Sequence, residues 1–191
     1  MIDGLIRIAA TTPRVKVADV AFNTSEIENA MARAEGQGVE ILCCPELSLT
    51  GYTCQDLFGQ QLLLEQAETA MLKLIEFSRN LNLTTIVGIP FRFGGALLNC
   101  AAVIQKGKVH GIVPKTYLPN YNEFYEMRWF SSSTAVPEHS TTRFCGQNVP
   151  IAADLLFEVG EVKFGIELCE DLWAPIPPSS LLALGGADII F

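Results

Sequence analysis

Long helical stretches with one apolar stripe alternate along this chain with short, almost wholly apolar runs, and that alternation restricts it to a layered α/β fold. Residues 23–37 carry Ile27, Ala30, Met31 and Ala34 at helical spacing, open on the capping residues Asn23, Thr24 and Ser25, and stop at Gly38. Residues 60–80 repeat the pattern with Leu63, Ala67, Ala70, Met71, Leu74 and then Phe77 or Ser78. Each stripe needs an apolar sheet to cover. Residues 5–10, 39–44 and 84–90 supply strands whose continuous hydrophobicity suits burial on both faces. Residues 97–105 and 108–113, joined by Lys106-Gly107, read as an antiparallel hairpin, so the sheet is expected to be mixed. A second hairpin is expected around Gly160, from residues 154–158 and 161–167, followed by a helix at 178–184 and a strand at 187–191.

Three strand-like runs end on residues with chemistry. The first runs into Pro45-Glu46, where proline cannot continue a central ladder, and the hairpin runs into Pro114-Lys115. The third, Gly165-Ile166-Glu167-Leu168, delivers Cys169 to an acidic turn. In layered α/β folds, sites form at the carboxyl ends of strands. A carboxylate, an amine and a thiol meeting there make a base, an electrophile and a nucleophile. A strand-end cysteine alone is usually an inert small hydrophobe, and it is the coincidence of all three that carries the reading.

Composition narrows the setting. A formal charge of −8 over 191 residues does not suit a nucleic-acid or anionic-membrane surface, which concentrates Lys and Arg, so a small substrate is expected. No apolar run reaches the roughly 18 residues that span a bilayer, and no basic leader precedes an apolar stretch, which points to a cytoplasmic protein. The six cysteines follow no metal spacing and the two histidines bring no clustered ligands, so no metal is expected. Gly94-Gly95 and Gly185-Gly186 lack the lysine and spacing of a phosphate loop. Between Pro114 and Pro150 lies an aperiodic, aromatic-rich stretch, expected to be a binding loop, with a short helix near residues 122–128 as the structural alternative. The chain stops at Phe191 inside an apolar run, which suggests the front part of a larger domain whose C-terminal part is missing.

The Pro-Glu, Pro-Lys and strand-Cys motifs resemble, in order, those of the nitrilase or carbon-nitrogen hydrolase superfamily. Within it, Pro114-Lys115-Thr116-Tyr117-Leu118-Pro119-Asn120-Tyr121-Asn122-Glu123-Phe124-Tyr125-Glu126 and Glu167-Leu168-Cys169-Glu170-Asp171-Leu172-Trp173-Ala174-Pro175 resemble the glutaminase domains of glutamine-dependent NAD synthetases. The resemblance implies an αββα sandwich with mixed sheets and a Glu46, Lys115, Cys169 triad that hydrolyses glutamine through a thioester. It places Tyr121, Phe124, Glu170 and Tyr52 around the substrate and Glu123 behind the lysine, with Glu126 as competitor for that last role. The family's arginine for the substrate carboxylate falls beyond residue 191. No cofactor is implied for the thiol chemistry; ATP, Mg and deamido-NAD are implied only for a synthetase domain elsewhere in the full-length chain, and a homo-oligomer is expected. The rival readings are an amidase acting on another amide and a catalytically silent assembly module.

Overall fold

The computed structural model describes residues 5–191. Its strands and helices run β1 (Ile8–Ala10), α1 (Val20–Gly36), β2 (Ile41–Cys43), α2 (Gln61–Ser78), β3 (Thr84–Phe93), β4 (Ala96–Gln105), β5 (Lys108–Pro114), β6 (Thr141–Phe144), β7 (Gln147–Pro150), β8 (Phe157–Val159), β9 (Val162–Gly165), α3 (Pro178–Leu184) and β10 (Ile189–Ile190). The main sheet has the order β1-β2-β3-β4-β5. Its first three strands are parallel, and β4 is antiparallel to both β3 and β5, as a mixed sheet requires. A second sheet has the order β10-β9-β8, and β6 pairs with β7 in a two-stranded ribbon.

The period-2 alternation of the main sheet sorts its side chains into two cores. Leu42, Val87, Ile89, Ala102 and Ile104 meet Ile27, Ala30 and Met31 of α1 and Ala70, Met71 and Leu74 of α2. Their neighbours Ile41, Ile86, Ala101, Val103 and Val113 point the other way, against Phe157, Phe164, Ile166 and Leu168. Behind the second sheet lies α3, pressed so closely on β9 that a Cβ at Gly165 would stand 2.8 Å from Leu182. The layers are therefore helix, sheet, sheet, helix, the αββα sandwich expected. Strands β2 to β5 of the main sheet are buried on both faces over most of their length, which is why they read as continuous apolar runs, whereas β8 and β9 alternate and expose Glu158 and Lys163.

Two local expectations are corrected and one open alternative is settled. Helix α1 begins at Val20, not near Asn23, because Asp19 provides the cap by accepting the Phe22 N–H. Asn23 instead sits inside the helix and bonds Lys16 N–H, Lys16 C=O and Leu49 C=O, tying α1 to the loop that follows β2. At the end of α2 it is Ser78 that is buried, bonding the Gly107 N–H, while Phe77 is exposed. The stretch from Pro114 to Pro150 is not one aperiodic loop: it holds 3₁₀ turns at Glu126–Arg128 and Ser133–Ala135 and then the β6–β7 hairpin. That hairpin escapes a pattern search because its strands are short and mostly polar. Its turn, Cys145-Gly146, has φ of 48° and 76°, the conformation usually announced by Asn-Gly.

Candidate active site

Because β5 is antiparallel to β4, and β4 to β3, strand β5 runs the same way as β2 and β3. The carboxyl ends of β2 and β5 therefore open on one edge of the sheet. Glu46 leaves β2 on a tight loop in which Ser48 N–H reaches Pro45 C=O at 3.2 Å and Gly51 N–H reaches Leu47 C=O at 2.8 Å. The loop lies directly over β3 at Gly88, whose backbone takes the Leu49 N–H at 3.2 Å and exchanges bonds with the Ser48 hydroxyl. Lys115 follows β5 with its N–H still paired to Asn99 C=O at 2.8 Å, and its side chain is wholly enclosed.

The lysine ties two carboxylates together. Its Nζ donates to Oε1 of Glu46 at 2.7 Å and to Oε1 of Glu126 at 2.9 Å. Asn99 Nδ2 donates to the same Glu46 oxygen at 2.6 Å, and the Tyr52 hydroxyl donates to Glu126 Oε1 at 2.6 Å. Burial alone would depress the Lys115 pKa, but the charges and hydrogen bonds of Glu46 and Glu126 outweigh it and hold the ammonium above its ordinary range. Burial pushes the Glu126 carboxyl up against the opposing pull of Lys115 and Tyr52. One cation among two carboxylates is a costly arrangement to enclose: Lys115 bonds both carboxylates through their Oε1 atoms, while Oε2 of Glu126 is buried without a hydrogen-bond partner.

Cys169 stands across the gap between sheets. Ile166 and Leu168 are buried in the inter-sheet core, and the chain then leaves it in a 3₁₀ turn over Cys169–Trp173. Cys169 opens that turn at φ +49°, left-handed for a residue with a side chain, a conformation that costs of order 1–3 kcal/mol and concentrates at functional sites. Asp171 holds it there. This buried carboxylate accepts the Leu168 N–H at 3.0 Å while its own N–H returns to Leu168 C=O at 3.0 Å. It also accepts Thr116 and Tyr117 N–H at 3.1 and 2.7 Å, so a single side chain joins the lysine loop to the cysteine turn. Of the six cysteines, Cys169 alone is exposed. Partial desolvation and the charges of Glu46, Glu126 and Glu170 raise its thiol, with Lys115 pulling the other way. At neutral pH the sulfur is thus protonated and needs a base to become a nucleophile.

The structure brings Glu46, Lys115 and Cys169 into one electrostatic cluster and joins Tyr52 to it through Glu126. Tyr121 and Phe124 pack edge to face at 6.0 Å beside the cysteine turn, and the Tyr121 hydroxyl reaches both carboxylate oxygens of Glu170, at 3.0 and 2.9 Å. The expectation that Glu123 lies behind the lysine is corrected. Glu123 is exposed, whereas the Glu126–Arg128 turn swings Glu126 inward to 1% exposure. Sequence reasoning missed Asn99 and Asp171. Asn99 carries a visible signal, a polar residue inside the apolar run Leu97-Leu98-Asn99-Cys100-Ala101; Asp171 carries none that separates it from the neighbouring Glu170.

An αββα sandwich with this edge cluster defines a class. The carbon-nitrogen hydrolase family profile matches residues 7–191, and the chain belongs to that family. It is similar, at 36% identity over 190 residues, to the glutamine-dependent NAD(+) synthetase of Mycobacterium tuberculosis, across 98% of this chain and 28% of that protein. Among solved structures, the glutamine-dependent NAD(+) synthetase from Cytophaga hutchinsonii superposes with TM-score 0.74 and 34% identity, covering 86% of this chain and 28% of the other. That from Acinetobacter baumannii, in complex with adenosine diphosphate, gives TM-score 0.80 at 26% identity over 97% of this chain and 31% of the other. The chain therefore spans less than a third of the length of these relatives. Among the described residues, no helix is long and apolar enough to cross a membrane, and no three His, Cys, Asp or Glu side chains cluster to hold a metal.

Proposed function

We propose that this chain hydrolyses the side-chain amide of glutamine and that the whole protein uses the ammonia to amidate deamido-NAD at the expense of ATP. The observation that carries the reading is the enclosed Lys115, held between Glu46 and Glu126 at the sheet edge where the exposed Cys169 emerges. An unreactive amide needs a thiolate, a fixed positive charge for the developing oxyanion and a proton for the departing nitrogen. Glu46 takes the thiol proton as sulfur bonds to the amide carbon and the carbonyl electron pair moves onto oxygen. The Lys115 ammonium and the backbone N–H of Glu170 hold that oxygen, each donor contributing ~3–4 kcal/mol of transition-state stabilisation. The C–N bond then breaks, and Glu46 returns the proton to nitrogen so that ammonia leaves.

A thioester remains on Cys169. Glu46 deprotonates a water, whose oxygen adds to the acyl carbon; the C–S bond breaks and the thiolate recovers a proton. The electrophile is an ammonium, so the step requires no metal. Tyr121, Phe124 and Glu170 line the approach, and Glu170 suits the α-ammonium of an amino acid through a charge-assisted bond. ATP, Mg and deamido-NAD belong to the part of the protein outside this chain. The reduced thiols the chemistry demands suit a cytoplasmic setting. In the intact protein, Cys169→Ala is expected to abolish glutamine-driven NAD formation and ammonia release while NAD formation from added ammonia persists. Loss of both activities together would refute the two-step reading.

A further inference from the structure

Asn99 occupies the middle of β4 between the fully buried Leu98 and Cys100, and is itself fully buried. Its backbone carbonyl takes the Lys115 N–H, and its side-chain Nδ2 lies 2.6 Å from Oε1 of Glu46, the oxygen that also receives Lys115 Nζ at 2.7 Å. Its Oδ1 is buried with no hydrogen-bond partner. Reversing the amide would set two acceptors against each other across that short gap, so the carboxylate fixes the orientation. A stranded amide carbonyl is unfavourable in a core, and an apolar side chain at this strand position would avoid it. What the asparagine provides is the bond to Glu46.

We propose that Asn99 is a positioning residue for the general base: together with Lys115 it saturates Oε1 of Glu46, leaving Oε2 as the oxygen that takes the thiol proton and delivers it to the departing nitrogen. No described group hydrogen-bonds Oε2. The assignment rests on the Glu46, Lys115, Cys169 reading above and adds to it the oxygen and its second donor. The titratable groups facing Glu46 are Lys115 at the end of β5, Glu126 on its 3₁₀ turn, Tyr52 on the kinked 3₁₀ segment Tyr52–Gly59, and the Cys169 thiol. Among these Lys115 is the one cation, and Asn99 adds a second donor to the carboxylate without adding a second charge. A base held this way keeps one oxygen available for proton transfer.

The test is the pH dependence of kcat and KM for glutamine in the intact protein, with thermal unfolding measured alongside. Asn99→Ala removes a donor to the ionised form, so the acid limb of kcat/KM should move upward by about one pH unit. In the same variant kcat should fall by about tenfold or more, with KM changed little. Asn99→Asp keeps the size but donates only while the introduced carboxyl is protonated, so its activity should fall as pH rises, the opposite direction. Opposite displacements of the two profiles support the proposal. A uniform loss with both profiles unmoved, or with KM rising in place of kcat falling, overturns it while leaving the triad standing. If ammonia release survives Cys169→Ala in the parent protein, the triad reading itself fails and this assignment falls with it.

Discussion

One methyl group added at Gly88 should damage the proposed active site. It lies in β3 of the main sheet, and a Cβ there would stand 2.3 Å from Leu47 N, 2.5 Å from Pro45 O and 2.8 Å from the Glu46 carbonyl carbon. All three neighbours are backbone atoms, so no side chain can turn aside. Restoring an ordinary contact of 3.4 Å from 2.3 Å requires the Glu46 loop to retreat by about 1 Å. The strand is held against such a shift by β4, which pairs Ala101 with Gly88, and by β2, which pairs with it as far as Ile86. The retreat also strains the Leu49 N–H bond and the Ser48 hydroxyl bonds to Gly88. Overpacking of this kind costs typically ~1–3 kcal/mol of stability, and displacing a reacting group by about 1 Å can cost ~100-fold in rate. Gly88→Ala is therefore expected to stay folded, with a modestly lower Tm, and to release ammonia from glutamine roughly 100-fold more slowly. The assay is ammonia release beside a thermal melt of the same sample. A variant with parental turnover would show that the Glu46 loop is not held in place by Gly88.

The remaining predictions concern thiol selectivity and the enclosed lysine. A glutamine-like chloroketone should alkylate Cys169 in preference to the other five cysteines: Cys44, Cys54, Cys100 and Cys145 are buried, and burial pushes Cys43 to about 11 and Cys145 to about 12. Peptide mapping that put the label first on Cys43 or Cys145 would count decisively against Cys169 as nucleophile. For Glu126→Gln, the sign follows from Lys115, which Glu46 and Glu126 hold above its ordinary 10.5. The folded state binds that proton more tightly than the unfolded chain, so the contribution is complete below about 10.5 and is lost as pH rises through the raised value. The lost bond to the charged lysine costs Glu126→Gln roughly 1–3 kcal/mol, offset in part because Gln removes a carboxylate whose burial raises its pKa, so the parent should exceed the variant in urea stability near neutral pH by less than that. That margin should shrink in strongly alkaline buffer. A margin independent of pH would mean that Glu126 does not stabilise the charged lysine.

Much of this architecture is local and so was legible in the sequence. The stripe of Ile27, Ala30, Met31 and Ala34, the apolar runs of β2 to β5 and the Lys106-Gly107 turn specify helices, doubly covered strands and a hairpin through periodicity and turn chemistry alone. Glu46, Lys115 and Cys169 were visible because each follows an apolar run directly, two of them after a proline that ends the strand. What the sequence could not decide was which side chains point inward from irregular backbone. Glu123 and Glu126 look alike in sequence, and only the 3₁₀ turn at Glu126–Arg128, carried by Glu126 N–H to Pro119 C=O at 3.1 Å, puts the second one on Lys115. Asn99 and Asp171 lie 53 residues from Glu46 and 55 from Thr116, their respective partners. Contacts at that separation are created by strand pairing and sheet stacking, not by any short-range preference of the residues themselves. The tertiary structure alone therefore decided how Glu46, Lys115 and the Cys169 turn are braced, because a buried donor or acceptor finds its partner only once the layers have closed over it.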